Sequence, residues 1–207
     1  LKTASQQSVE SYLDRHPRHF EPLAVFLRWA SHSGAADRIH PIPSPYADPY
    51  TAYPIDTYRA WMRRFAIDET IQLRTRICGL IAGITGRPIT TIAGLSTASI
   101  IDDGNEMQLR LGVTPVQLPP PLPALIRRQL ATPRRWDTES TWLFPSKLRA
   151  GAHVHASRFA ADMQKITCRI VGLRGAALLN LAATMPLAPL CDLTGMSTNV
   201  AARWQIV

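Results

Sequence analysis

The stretch DDGNEMQLRLGVTPVQL, residues 102–118, is where the sequence changes its periodicity. Met107, Leu109 and Leu111 alternate with polar residues, a pattern typical of a strand with one buried face. A turn signal at 102–105 precedes this strand, and residues 115–118 can return as a further short strand at a sheet edge. The stretch therefore predicts a small antiparallel sheet, which we place near residues 97–118.

On both sides of this sheet, apolar residues recur at helical spacing. One stripe, closed by Gly86, is formed by Leu73, Ile77, Leu80, Ile81 and Ile84. Pro88 suits the first turn of the next helix. After the sheet the spacing is helical again, apart from a segment around residues 142–145. The predicted fold class is therefore mainly α with a small antiparallel β-sheet (α+β).

Prolines separate a short first piece from the rest of the chain. Residues 1–38 have helical spacing, with one stripe formed by Leu23, Phe26, Leu27 and Ala30. Positions 41, 43, 45, 49 and 54 are prolines, which fix φ and remove backbone donors. We expect a helical piece at 1–38, a proline-rich linker at 39–54 and a larger domain at 55–207.

The composition favours a polyanionic partner. Lys and Arg outnumber Asp and Glu by 23 to 15, and the resulting charge of +8 is typical of chains that bind nucleic acid. The sequence has no CxxC pair, metal-ligand spacing, phosphate-cradling glycine loop or run of eighteen apolar residues. We therefore expect a soluble, cytoplasmic protein without a metal, a small-molecule cofactor or a membrane span. Cys78, Cys168 and Cys191 are expected to be buried free thiols.

Several short motifs follow one another along the chain, and their order is more specific to a protein family than the composition is. They are Gly86-Arg87, PITTIAGL at 88–95, WLFPS at 142–146, Gly172-Leu-Arg174, LTGMS at 193–197 and ARW at 202–204. Their order resembles the catalytic domain of the tyrosine recombinases, the phage-integrase family, over about residues 54–207. It is especially similar to integrase-like chains of actinobacteria, many of which have an altered active site. Residues 1–38 resemble the end of the core-binding domain that precedes the catalytic domain in this family.

The resemblance implies a catalytic role for Arg87 and Arg174. In the family, two arginines grip the scissile phosphate, a hairpin lysine protonates the leaving hydroxyl, a histidine assists, and a tyrosine attacks phosphorus. Bidentate guanidinium groups neutralise charge on the non-bridging oxygens. Because a cation is disfavoured at the start of a helix, Arg174 is expected to have an anion or a carboxylate as its partner. Further DNA contacts are predicted at Arg110, Lys147, His155, Arg158 and Arg203.

The other active-site positions depart from the family pattern. Val171 occupies the position of the histidine three residues before the second arginine, and Met196 stands where the family often has histidine. The hairpin region has no lysine, and Arg110 is its only base. Trp204 lies about where the tyrosine is expected, and no tyrosine occurs after Tyr58. The resemblance therefore implies a degenerate active site, with Val171 interpreted as a core residue and Trp204 as a packing residue.

Three functions are consistent with these residues. The first is a bacterial, nucleoid-associated protein that binds duplex DNA with a degenerate recombinase pocket, for which a homo-oligomer on DNA is a possible assembly. The second is an active strand-transferase, in a chain truncated at its C-terminus, whose tyrosine lies beyond Val207. The third is a helical interaction module without DNA binding, against which the charge of +8 argues.

Overall fold

Helix α1, Phe20–His32, belongs to the first of two units, Leu1–Tyr46 and Ala47–Val207, in the computed structural model of the protein. The structure describes residues 8–9, 12, 20–34, 51–132 and 140–205. Most of the predicted linker at 39–54 lies outside these residues, so the division into 1–38, 39–54 and 55–207 stays a prediction.

Helix α1 buries some of its apolar residues and exposes others. Leu27 and Ala30 are buried, and the helix ends before Gly34, whose φ of 68° is left-handed. Phe26 is 39% exposed and lies beside the exposed ring of Trp29, with 5.9 Å between the ring centroids. The predicted stripe is therefore right for Leu27 and Ala30 and wrong for Phe26, because position 26 is rotated onto the solvent face.

The second unit consists of helices around one small sheet. Its elements are α2 (Ile55–Ile67), α3 (Leu73–Thr85), α4 (Ile89–Ala93), a 3-10 turn (Thr97–Ser99), β1 (Ile100–Asp102), β2 (Met107–Arg110), β3 (Pro115–Gln117), α5 (Leu122–Ala131), α6 (Ala156–Lys165), α7 (Ile170–Thr184), α8 (Leu187–Thr194) and α9 (Thr198–Gln205). The strands are antiparallel in the order β1-β2-β3, which confirms the predicted α+β class. In the described part of the chain no single helix is long and apolar enough to cross a membrane. Helices α6 and α7 reach that length and composition together, but they are bent by 99° at the break between them.

Helix α3 is the centre of the second unit and packs against α2, α4, α5, α6 and α7. Its buried residues include Arg76 as well as aliphatic side chains. A Cβ atom at Gly79 would lie 2.6 Å from the ring of Phe65, so this glycine lets α2 approach closely. The Arg76 guanidinium donates from Nε to the main-chain oxygen of Phe65 at 2.9 Å. That bond satisfies a carbonyl in the last turn of α2, where a cation is favoured.

The sheet lies where the sequence predicts it. Met107 and Leu109 of β2 are fully buried, in agreement with the alternating pattern. In the turn between β1 and β2 the Asp102 carboxylate accepts a hydrogen bond from the N–H of Gly104 at 3.0 Å, as turn chemistry predicts. The same carboxylate binds Arg127 of α5 through two of that residue's nitrogens.

The cysteines are free thiols. Cys78 and Cys168 are buried, and burial raises the pKa of both, that of Cys168 to about 12. Cys191 is only partly buried. The prediction of buried thiols is therefore right for two of the three.

Candidate nucleic-acid interface

Arg87 connects three parts of the second unit. It follows Gly86, whose φ of 65° ends α3 in the left-handed conformation. The Nε of Arg87 donates to the main-chain oxygen of Leu193 at 2.6 Å, and its Nη2 donates to those of Leu111 and Asp192 at 2.5 and 2.8 Å. The guanidinium therefore joins the end of α3 to the β2–β3 hairpin and to the end of α8.

The close fit around Arg87 continues at Gly195, which ends α8 with a φ of 72°. A Cβ atom at Gly195 would collide with Nη1 of Arg87. The Asp192 carboxylate accepts hydrogen bonds from the main-chain N–H groups of Thr114 and Val113, at 3.0 and 2.7 Å, and these bonds lower the pKa of Asp192. The hairpin loop and α8 are thus fixed to each other by both a cation and a carboxylate.

Arg174 lies early in α7 and is 7% exposed. Its Nε donates to the main-chain oxygen of Gly86 at 3.1 Å, which brings Arg174 to the peptide that precedes Arg87. The negative end of the α3 dipole lies there and offsets the cost of placing a cation near the positive start of α7. The partner of this N–H is thus a carbonyl oxygen at a helix end, where the sequence suggested an anion or a carboxylate. Binding of a phosphate by the two arginines stays a prediction.

The remaining positions of the expected active site are occupied by apolar side chains. Met196 and Trp204 are buried, so the interpretation of Trp204 as a packing residue is confirmed. Val171 is 43% exposed, and its interpretation as a core residue is wrong because the first turn of α7 presents that side to solvent.

Residues 51–54 lie against the start of α7. The N–H of Tyr53 donates to the main-chain oxygen of Gly172 at 2.9 Å, and the Tyr53 hydroxyl accepts a hydrogen bond from the N–H of Arg169 at 2.6 Å. Gly172 and Gly175 make room for this segment, since a Cβ atom at Gly175 would lie 3.0 Å from Cα of Ala52. Tyr53 therefore satisfies one of the N–H groups that the start of α7 leaves unbonded.

A second cationic region is built on residues 143–155, which form a short two-stranded ribbon. The N–H of Val154 donates to Phe144 at 2.7 Å, and that of Ser146 donates to Ala152 at 2.8 Å, both to main-chain oxygens. Gly151, at φ 72°, lies in the turn of the ribbon. Leu143, Phe144 and Val154 of the ribbon are buried. Its basic residues lie near the turn and on the second strand: Lys147, Arg149, His153 and His155.

These basic side chains line a groove of about 630 Å³. Arg74, in the first turn of α3, and Arg158, in the first turn of α6, line it as well. None of the described residues around the groove is acidic. Within the described part of the chain, no group of three His, Cys, Asp or Glu residues is arranged to hold a metal ion. The groove therefore concentrates positive potential, which suits an anionic ligand.

His155 caps helix α6, whose first turn lines the groove. Its Nδ1 lies 3.3 Å from the N–H of Ser157, from which it accepts a hydrogen bond, and 2.8 Å from the Ser157 hydroxyl. Because an accepting Nδ1 carries no proton, the neutral ring has its proton on Nε2. Nε2 of His155 is then a hydrogen-bond donor at the edge of the groove.

A buried carboxylate lies behind the groove. The Asp162 side chain is 5% exposed, and its Oδ2 lies 2.9 Å from Nη2 of Arg74. Its Oδ1 lies 3.4 Å from Nε of Arg158 and 3.7 Å from Nζ of Lys165. Asp162 therefore pairs with two of the arginines of the groove and with a lysine that does not line it.

Solved structures of recombinases are similar to this chain in fold. The XerH site-specific recombinase, in a post-cleavage complex with a palindromic difH substrate, matches with a TM-score of 0.60 and 11% identity, over 100% of this chain and 70% of that one. The XerH pre-cleavage complex matches with a TM-score of 0.58 and 13% identity, over 74% of this chain and 49% of that one. The Tn1549 transposon integrase, in complex with circular intermediate DNA, matches with a TM-score of 0.54 and 12% identity, over 98% of this chain and 81% of that one.

The fold is that of the tyrosine recombinases. No protein-family model and no curated protein sequence matches the chain. The match to the XerH pre-cleavage complex spans about half of the length of that recombinase.

The recombinase-like fold brings together some of the predicted DNA-contact residues and not others. Lys147, His155 and Arg158 line the same groove. Arg110 is exposed at the end of β2 and does not line it. The side chain of Arg203 lies outside the described residues. DNA contact by each of these residues stays a prediction.

Sequence reasoning missed Arg74, Arg149 and Asp162. Arg149 had a usable signal, because basic residues recur at alternate positions on both sides of Gly151, as on one face of a hairpin. Arg74 and Asp162 are 88 positions apart, and no local pattern indicates that they form an ion pair.

Proposed function

We propose that the protein binds duplex DNA as a recombinase-like protein whose active site is degenerate within this chain. The basic groove carries the proposal, because it gathers cations from α3, the ribbon and α6 around a space with no acidic lining among the described residues. The solved structures of the same fold include recombinases bound to DNA. Membership of the altered actinobacterial subgroup, nucleoid association and the division at 39–54 belong to the same proposal.

The spacing of the cations suits a duplex. Arg74 is the second residue of α3 and Arg87 lies two residues beyond its end, so 11 residues of helix, roughly 16 Å, and a two-residue turn separate them. Phosphates of one DNA strand recur about every 3.4 Å along the axis, so roughly five of them span the helical part of that distance. One short duplex segment is therefore long enough to reach both cationic regions.

In the described part of the chain, neither Tyr53 nor Tyr58 is suited to attack phosphorus. The five tyrosines of the chain all lie at or before Tyr58. The Tyr53 hydroxyl accepts a hydrogen bond from a main-chain N–H, and the Tyr58 hydroxyl donates one to Gly83 at 2.9 Å. Burial raises the pKa of both hydroxyls, whereas an activated nucleophile needs a lowered pKa or an adjacent base. A covalent protein–DNA adduct mapped to any tyrosine of this chain would contradict the proposal of a degenerate active site.

The test of DNA binding compares two double variants that remove the same charge. Lys147→Gln with Arg149→Gln removes two cations of the groove, and Arg59→Gln with Arg63→Gln removes two exposed cations of α2. Each lost phosphate contact should reduce the log–log salt slope of affinity by about 0.9. The slope of the groove variant should therefore be smaller than that of the wild type by about 1.8. Over the tenfold range from 1 M to 0.1 M salt, this difference makes the variant bind roughly 60-fold more weakly relative to the wild type.

Fluorescence anisotropy with a labelled 24-base-pair duplex, titrated at several salt concentrations, measures both quantities. The α2 variant should change the affinity much less, since its charges act only at a distance. Equal losses from the two variants would show that the groove is not the interface. Absence of salt-dependent binding by the wild-type chain would refute the proposed function itself.

A further inference from the structure

The buried carboxylate of Asp162 is unusual because it lies behind a surface that favours anions. Its side chain is 5% exposed, and a buried charge is tolerated only when it is closely paired. The cations around it come from two elements, Arg74 from α3 and both Arg158 and Lys165 from α6. Asp162 therefore holds α3 and α6 in a fixed relation at the base of the groove.

The pairing uses only part of each guanidinium group. Arg74 presents Nη2 to Asp162, and Arg158 presents Nε. The five N–H donors of a guanidinium group lie in one rigid plane, so fixing one nitrogen limits the directions of the others. Nη2 of Arg74 is fixed by a hydrogen bond to Asp162, whereas Arg158 is 54% exposed and contributes an ion pair at 3.4 Å. Both arginines line the groove, so Asp162 orients Arg74 directly and attracts Arg158 electrostatically.

We infer that Asp162 is a positioning residue for phosphate binding, acting through Arg74 and Arg158; this rests on the proposed function. Arginine side chains lose much rotational freedom when they bind, and a side chain that is already held loses less. The buried carboxylate accepts a hydrogen bond from Arg74 and forms an ion pair with Arg158 before the ligand arrives. The ligand is the phosphodiester backbone of duplex DNA.

A purely electrostatic role for Asp162 predicts the opposite result. Removing a negative charge near the groove would raise its positive potential and strengthen DNA binding. Removing a positioning residue weakens binding although the net charge becomes more positive. The sign of the change in affinity therefore separates the two roles.

The experiment measures the affinity of Asp162→Asn for the same 24-base-pair duplex at 0.1 M salt. We expect about a tenfold loss, from two arginines that must be ordered on binding. Asp68→Asn is the control, because Asp68 pairs with Arg64 at 3.2 Å, neither residue lines the groove, and the substitution changes the net charge equally. The control should bind as tightly as the wild type or slightly tighter.

Two further measurements keep the inference testable if Asp162→Asn is unstable. Asp162→Glu retains the charge but displaces it by one methylene group, so positioning predicts weaker binding and a charge effect predicts none. Arg158→Gln should cost less affinity in the Asp162→Asn background than in the wild type, because the two residues act through one contact. Thermal unfolding of each variant confirms that it is folded under the assay conditions.

The outcomes also separate this inference from the proposed function. If the wild type binds DNA, the groove variant binds weakly and Asp162→Asn binds as tightly as the wild type or tighter, the inference is overturned and the proposed function stands. If the wild type does not bind DNA, the proposed function fails. Weaker binding by both Asp162 variants, with an unaffected Asp68→Asn, supports the inference.

Discussion

Replacement of Gly195 by alanine tests the packing of Arg87 against the end of α8. Gly195 has a φ of 72°, and a Cβ atom there would collide with Nη1 of Arg87. Gly151 offers a matched control, because its φ is also 72° and no atom lies within 4 Å of the Cβ that alanine would add. The two substitutions therefore share the backbone cost and differ in the contact with Arg87.

The expected magnitudes follow from the hydrogen bonds of Arg87. Placing alanine in the left-handed region costs about 1–2 kcal/mol, which is the whole effect expected for Gly151→Ala. At Gly195 the new methyl group also displaces a guanidinium that donates to three main-chain oxygens. Losing one such charge-assisted bond costs about 1.5–3 kcal/mol, so Gly195→Ala should cost about 2.5–5 kcal/mol in total.

Urea unfolding measures both costs as changes in midpoint at constant slope. In an Arg87→Ala background the guanidinium is absent, so Gly195→Ala should cost only as much as Gly151→Ala. Equal costs of the two glycine substitutions in the wild-type background would refute the reasoning, because the Arg87 guanidinium would then not be held against Gly195.

Two further predictions concern stability. Thr167 is β-branched and has a φ of 61°, in a region of backbone conformation that asparagine tolerates better. Thr167→Asn should therefore raise the free energy of unfolding by about 1 kcal/mol, or Tm by roughly 2–4 °C. A lower Tm of the variant would show that the backbone at Thr167 is not strained. The hydrogen bond from Arg127 lowers the pKa of Asp102 to about 2, below its ordinary value of 3.8, so this carboxylate stabilises the fold above pH 4 and loses its contribution between about pH 4 and pH 2. The Tm of the wild type should therefore fall towards that of Asp102→Asn over this range, and a constant difference between them would show that the ion pair does not form.

The sequence predicts an element well when its apolar residues recur with a single period and all of them lie on the face that is buried. Strand β2 alternates because only Met107 and Leu109 enter the core, and the stripe of α3 ends at Gly86 because a left-handed residue ends the helix there. Helix α2 shows the limit of this rule, since Ile55, Tyr58, Met62 and Phe65 form one apolar stripe but Ile55 is 48% exposed and Trp61, outside the stripe, is buried. Which side of a helix is covered depends on its neighbours, and these are not encoded in the spacing of one helix.

The candidate site was predicted only in part. The matching motifs indicated Arg87 and Arg174, which the structure brings together at one peptide. Val171 was wrongly interpreted as a core residue, because α7 is apolar on almost every side and its first turn gives no sign of which side faces solvent. The pairing of Arg74 with Asp162 arises only when α3 and α6 pack together, so no pattern within either helix encodes it.

The contact of Tyr53 with α7 determines where the second unit can be cut from the chain. The helical pattern suggests a fragment that begins at Ile55, but such a fragment would lose the hydroxyl that accepts the N–H of Arg169. It would also expose Gly172 and Gly175 to solvent, because the segment before α2 packs against these two glycines. A fragment that begins a few residues before Ala52 keeps this contact, so a cut that preserves the packing on α7 lies inside the stretch that the prolines mark as a linker.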